Sequence, residues 1–171
     1  MKYKTTILLF LMIQCVWIIS ACKKEKPAKG IDKELLDIAR NTSDFNWFKK
    51  SDALLEKSVG SGHPQPLLRT RYNSVAASQL DTAGRILTDA QFPEGSLIVK
   101  ELYDNSTSLA RYAILYKKSD KDEADGNGWV WGYINSDETV VTSAIEKGSG
   151  CIGCHSQEQN IDYMLMNKYY P

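Results

Sequence analysis

The chain has 171 residues, 43% of them hydrophobic and 25% charged, with 21 basic and 21 acidic residues and a formal net charge of zero. That composition is globular, and the length holds a leader plus one domain of about 150 residues, but no second sizeable domain. Balanced charge creates no strong field, which argues against a broad electrostatic surface for nucleic acid or acidic substrates.

The first element in chain order is the leader. Lys2 and Lys4 precede an uncharged run from Thr5 to Ala21, so residues 1–21 have the pattern of an export signal. The run ends in "ISAC", residues 19–22. An aliphatic residue, two small residues and a cysteine are what a lipoprotein signal peptidase accepts. Cys22 is then expected to become a lipidated N-terminus that tethers an exported, periplasmic chain to the inner or outer membrane. An uncleaved membrane helix is the alternative reading, but the run is short for a span and lysines flank both ends.

Residues 22–30 are expected to be a flexible tether that packs against nothing, because "KKEKPAKG" is charged and carries Pro27 and Gly30. Residues 31–59 read as a helical N-terminal part. Leu35, Leu36, Ile38 and Ala39 recur at helical spacing, and Phe45, Trp47, Phe48, Leu54 and Leu55 suggest a second helix capped by Ser43 or Asp44. "VGSGHPQP", 59–66, is a loop.

Residues 60–171 carry the strands. "LLRTRYN", 67–73, predicts a strand, and "SVAASQL", 74–80, a short helix capped by Ser74. "FPEG", 92–95, is a turn with Gly95 where positive φ is needed. Strands are predicted over 96–103, 110–117 and 128–134, the last two joined by a polar surface loop. Successive strands without intervening helices argue for an α+β fold: a mostly antiparallel β-sheet domain with flanking helices.

The chemical signal lies near the C-terminus, where residues 151–155 read "CIGCH". Two thiols separated by two residues can each add across one haem vinyl group, and the next histidine can bind the iron. Cys151 and Cys154 are thus the candidates to hold one covalent haem c, with His155 as axial ligand. Cys15 lies in the leader and Cys22 at the lipid site, so no thiol is left for a structural disulfide. A thioredoxin-like pair or half a zinc site are competing readings. The flanks lack the α/β pattern of the first, and His63 is the only other histidine available to the second. The sixth iron position stays open between His63, Met164, Met166 and no protein ligand, since a loop histidine and late methionines are also ordinary turn and core residues.

"FPEGSLIVKELYD" (92–104), "GWVWGYI" (128–134), the late "CIGCH" and the ending "KYYP" together resemble the cytochrome P-460 family, which includes the c-prime-beta cytochromes. "RTRYNSVA" (69–76) is similar to that family's strand-to-helix entry, and the likeness covers roughly 60–171. The resemblance implies a haem with histidine on one side and an open or apolar distal face. It also implies either oxidation of hydroxylamine or nitric oxide, with a lysine cross-linked to the haem, or gas binding without that link.

Lys100 lies in the strand where the cross-linking lysine is expected, on the same side as Ile98 and Leu102. It either faces inward with them or lies on a solvated face, with Leu97 and Val99 inward. Glu101, on the other face, is either a proton acceptor or a solvated glutamate. Phe45, Trp47, Phe48 and Phe92 either wall a distal pocket or pack in the core. The leading functional expectation is an exported haem protein that binds or oxidises a small nitrogen species and passes electrons to a small redox carrier protein. A non-catalytic electron carrier and a gas sensor or scavenger are the alternatives, and no nucleic-acid partner is expected.

Overall fold

The structure is a computed structural model and describes residues 26–41 and 43–171. The leader over 1–21 and the lipid site at Cys22 lie outside the described residues. Among the described residues no helix is long and apolar enough to cross a membrane.

The first helix, α1, spans Ile31–Arg40. Leu35, Leu36 and Ala39 form its fully buried stripe, and burying each leucine contributes roughly 1.5–3 kcal/mol. Asp32 and Glu34 in the first turn and Arg40 in the last complement the helix dipole. Asp32 also accepts from Ser143 Oγ at 2.6 Å and from the backbone N–H of Ala144 at 2.8 Å, which ties the helix to the chain that follows the last strand.

Among the described residues, eight strands build one sheet: β1 (Lys26–Pro27), β2 (Phe45–Trp47), β3 (Leu55–Glu56), β4 (Leu67–Asn73), β5 (Leu97–Asn105), β6 (Ser108–Lys117), β7 (Trp129–Asn135) and β8 (Thr139–Thr142). The order is β1-β8-β7-β6-β5-β4-β2, with β3 also pairing with β4, and the paired strands run antiparallel. The α+β expectation is therefore met by a mostly antiparallel sheet with a few short helices: α2 (Ser74–Ala77), α3 (Ile152–His155) and α4 (Met166–Tyr169).

Both faces of the central strands are covered, which explains their nearly continuous apolar runs. On one face α1 packs with Leu97, Val99, Ile114, Val130 and Ile134. On the other, Leu68, Tyr72, Ile98, Leu102, Leu115, Trp129 and Trp131 pack beneath Phe48, Ile86, Phe92, Met164 and Met166. The site lies on this second face.

Several local expectations are corrected. Residues 45–55 are not a helix. Phe45–Trp47 pairs with β4, Phe48–Lys50 is a single 3-10 turn, and Asp44, Lys49 and Lys50 have positive φ, which no helix tolerates. Neither Ser43 nor Asp44 therefore caps a helix. The period of two at Phe45 and Trp47 suits a strand because Arg71 and Arg69 lie over their rings at 4.4 and 4.5 Å. Pro27 is not free tether, since Lys26–Pro27 pairs with β8. The cap of α2 is Asn73 rather than Ser74. Its side chain accepts from the N–H groups of Ala76 and Leu97 and donates to the carbonyl of Gly95, linking β4, α2 and the turn into β5. Gly95 has the positive φ, 86°, that the turn requires.

Candidate functional site

Strand register sets the floor of the site. Thr70 on β4 lies opposite Lys100 on β5, Lys100 opposite Ala113 on β6, and Ala113 opposite Tyr133 on β7. The neighbouring row runs Tyr72, Ile98, Leu115, Trp131. Because alternate residues share a face, all eight side chains belong to the face opposite α1. Lys100 thus points to the site side with Ile98 and Leu102. Leu97 and Val99 are also buried, but against α1, so Lys100 is not on a solvated face.

The C-terminal segment supplies the roof. Gly148 has φ 71°, and a Cβ there would lie 2.7 Å from the Trp131 indole. That close approach sets the chain of 148–155 against β7. The N–H groups of Cys154 and His155 both bond to the carbonyl of Cys151, winding the motif into α3. The spacing then separates the thiols, with Cys151 half-buried and Cys154 exposed, both free, while the His155 ring lies edge-on to Trp131 with centroids 5.3 Å apart.

His155 is held by its neighbours. Its Nδ1 lies 2.8 Å from the backbone oxygen of Tyr163, a contact in which Nδ1–H must donate. The lone pair is therefore on Nε2, the nitrogen free to bind a metal. The turn that presents this carbonyl has positive φ at both Asp162 and Tyr163. It is anchored by Asp162, which accepts from Trp129 Nε1 and from the backbone N–H of Phe92, both at 3.0 Å.

His63 comes from the loop before β4 and faces the same space. Its Nδ1 lies 3.2 Å from the Tyr133 hydroxyl, and its ring centre is 6.5 Å from that of His155, with the planes at 70°. Two clefts meet at this pair. One extends past Trp131 and Tyr133 to Cys151. The other extends past Ile98 and Lys100 to Met164 and Met166.

The clefts are poor solvents for charge. Burial, with the nearby Lys100 charge, lowers the pKa of His63 to about 2 and that of His155 to about 4, the latter opposed by the Tyr163 carbonyl. Burial lowers Lys100 to about 8, opposed by Cys154. Neutral imidazoles are the metal-binding form, and a lysine poised near neutrality is a competent nucleophile. Burial and the charge of Glu146 push the Cys151 thiol up.

Of the other sequence candidates, Met164 and Met166 line the cleft that holds Lys100, while the aromatics and Glu101 fall elsewhere. Met166 accepts a hydrogen bond from Thr70 Oγ1 at 3.3 Å, and Met164 is core as well as cleft wall. Phe48 and Phe92 are core, while Phe45 and Trp47 pack against arginines. Glu101 is neither solvated nor near the site. It is buried on the α1 side, bonded by Arg69 at 2.6 Å, Arg71 at 2.9 Å and Tyr103 at 2.8 Å. Sequence reading missed Thr70, Ala113, Tyr133 and Asp162. Period two in β7 links Trp131 to Tyr133, but the row that joins Lys100 to Ala113 needs the register.

The donor set suits a haem. Two thiols precede an imidazole whose Nε2 is free, beside aromatic and aliphatic walls and close to two clefts that reach a cysteine and a lysine. A structural zinc site is not supported, since among the described residues no group of three or more His, Cys, Asp or Glu is gathered around one point. Comparison with curated proteins finds no match. Residues 46–166 match the family model described as Cytochrome P460, so the match begins within β2 and ends at the first residue of α4.

Proposed function

The chain belongs to the cytochrome P460 family, and from that premise we propose that it is an exported monohaem c-type cytochrome that binds or oxidises a small nitrogen species, hydroxylamine or nitric oxide, at the haem iron. In this reading Cys151 and Cys154 hold the haem through thioethers and His155 binds the iron. Lys100 is the residue that would be joined to the haem by a further covalent link, its amine and a haem carbon each giving up a hydrogen to a two-electron oxidant of the peroxide class. Leader sequence and "ISAC" support export and anchoring through lipid on Cys22. Electrons leave to a small redox carrier protein.

The observation that carries the reading is the meeting of His155, Lys100 and Cys151 around two adjoining clefts whose walls are otherwise largely apolar. The haem supplies the redox chemistry, and the chain's residues bind it, exclude water and fix the imidazole. Lys100, largely buried beside the cleft and thereby depressed to about 8, is available in part as a neutral amine near physiological pH. Asp162 and the Tyr163 carbonyl fix the tautomer of His155 and so its basicity toward the metal.

The test uses the full chain produced in a host that matures c-type cytochromes. Turnover of hydroxylamine with an artificial electron acceptor, lost in Lys100→Ala, is the expected result. Stoichiometric haem without turnover would leave a non-catalytic electron carrier, a second reading that one observation favours: the His63 ring facing His155.

A further inference from the structure

We propose that His63 is the second axial ligand of the iron, closing the site in the resting protein, so that a small molecule binds only after His63 has moved away. The inference rests on the haem reading above and deepens it, since an open or apolar distal face is the family expectation.

Three observations point to it. First, the separation is right. With metal–imidazole bonds of roughly 2 Å, two imidazoles that face one ion from opposite sides have ring centres roughly 6 Å apart, and the observed separation is 6.5 Å. Second, each ring is fixed through Nδ1, His155 by Tyr163 and His63 by Tyr133. Among the described residues neither Nε2 has a hydrogen-bond partner, so both rings present the same nitrogen for ligation. Third, the two clefts share His63, Ala113, Leu115 and His155, and diverge toward Cys151 on one side and Lys100 on the other. The space beside the two rings therefore opens toward one of the two thioether cysteines, Cys151, and on the other side toward Lys100.

The loop that carries His63 is built to hold the ring and to release it. It lies between Lys57 and Pro66, which are bonded to one another at 2.7 Å. The C-terminal residues close over it: Tyr169 donates to the carbonyl of Gly60 at 2.8 Å and Tyr170 to that of Glu56 at 2.9 Å. His63 itself is held by Tyr133 and by one backbone bond to Ser61 Oγ at 3.4 Å. A loop tied at its ends and lightly held at its tip can swing its tip without unfolding its base.

The full, matured chain is examined by ferric absorption and electron paramagnetic resonance. The expected wild-type signal is a low-spin, six-coordinate, two-imidazole iron. His63→Ala should convert it to high spin, and added imidazole should restore low spin. Carbon monoxide should bind the ferrous wild type slowly, at a rate that saturates with concentration, and His63→Ala roughly tenfold or more faster, since only molecules with His63 detached can bind. A high-spin wild type carrying covalent haem would overturn this inference alone, as would a low-spin signal that survives in His63→Ala. A wild-type chain that takes up no haem would overturn the haem reading as well. The wild-type spectrum decides even if the variant fails to fold.

Discussion

The backbone oxygen of Tyr163 lies 2.8 Å from Nδ1 of His155, and its position depends on Asp162, one residue earlier. Asp162 accepts from Trp129 and Phe92 and lies 3.6 Å from Lys117 Nζ. Asp162→Ala leaves a buried indole N–H and a backbone N–H without acceptors, which should cost about 2 kcal/mol or more. Thermal unfolding should show the loss, and the iron of the matured variant should show an altered ligand field. An unchanged melting temperature would sink this assignment.

A second prediction concerns the buried ionic cluster on the α1 face. Arg71 is fully buried, bonds Glu101 at 2.9 Å and also donates to the backbone oxygens of Ala39 and Asn41. Glu101→Gln strands that charge, and the expected destabilisation is about 3 kcal/mol in denaturant titration at neutral pH. Spectra of the haem should change little, because the cluster is on the far face of the sheet.

The same carboxylate gives the fold an acid dependence. Burial alone would raise the pKa of Glu101, but hydrogen bonds from Arg69, Tyr103 and Arg71 outweigh it and hold the group below its ordinary 4.5. Between the folded and unfolded values the unfolded chain binds more protons, so stability rises with pH there. The contribution is complete above the unfolded value and is lost as pH falls through the lower folded one. The stability gap between wild type and Glu101→Gln should therefore shrink as the pH is taken from about 6 to 3, and a gap independent of pH would contradict the assignment.

Gly148→Ala tests how α3 is seated. Positive φ and a Cβ 2.7 Å from the Trp131 indole combine at this position, for an expected loss of roughly 2–3 kcal/mol. Haem content per chain should fall with it, because the motif is seated through this contact. Full haem loading at wild-type stability would show that the approach is not required.

Much of this was legible in sequence wherever one periodicity dominated. The stripe of Leu35, Leu36 and Ala39 identifies α1, and the runs of β4 to β7 identify the sheet. Residues 45–55 misled because Phe45, Trp47 and Phe48 fit either period. What decides for a strand is tertiary: the register Trp47 to Arg71 and the arginines over the rings. The motif at 151–155 was visible because its spacing is its chemistry. The facing of His63 and His155 was not, since it arises from a loop, a turn with left-handed residues and strand register acting together.

For Lys100, the ferrous absorption spectrum of the matured chain should show a Soret band shifted strongly to the red, returning to an ordinary c-type position in Lys100→Ala. A spectrum unchanged by the substitution would contradict the lysine link while leaving the thioethers in place.

The most direct test of the central claim is the intact mass of the denatured, matured full chain beside a Cys151→Ala, Cys154→Ala double variant. The wild type should retain one haem covalently and the double variant none. A wild-type mass without haem, or haem retained when both thiols are gone, would contradict it.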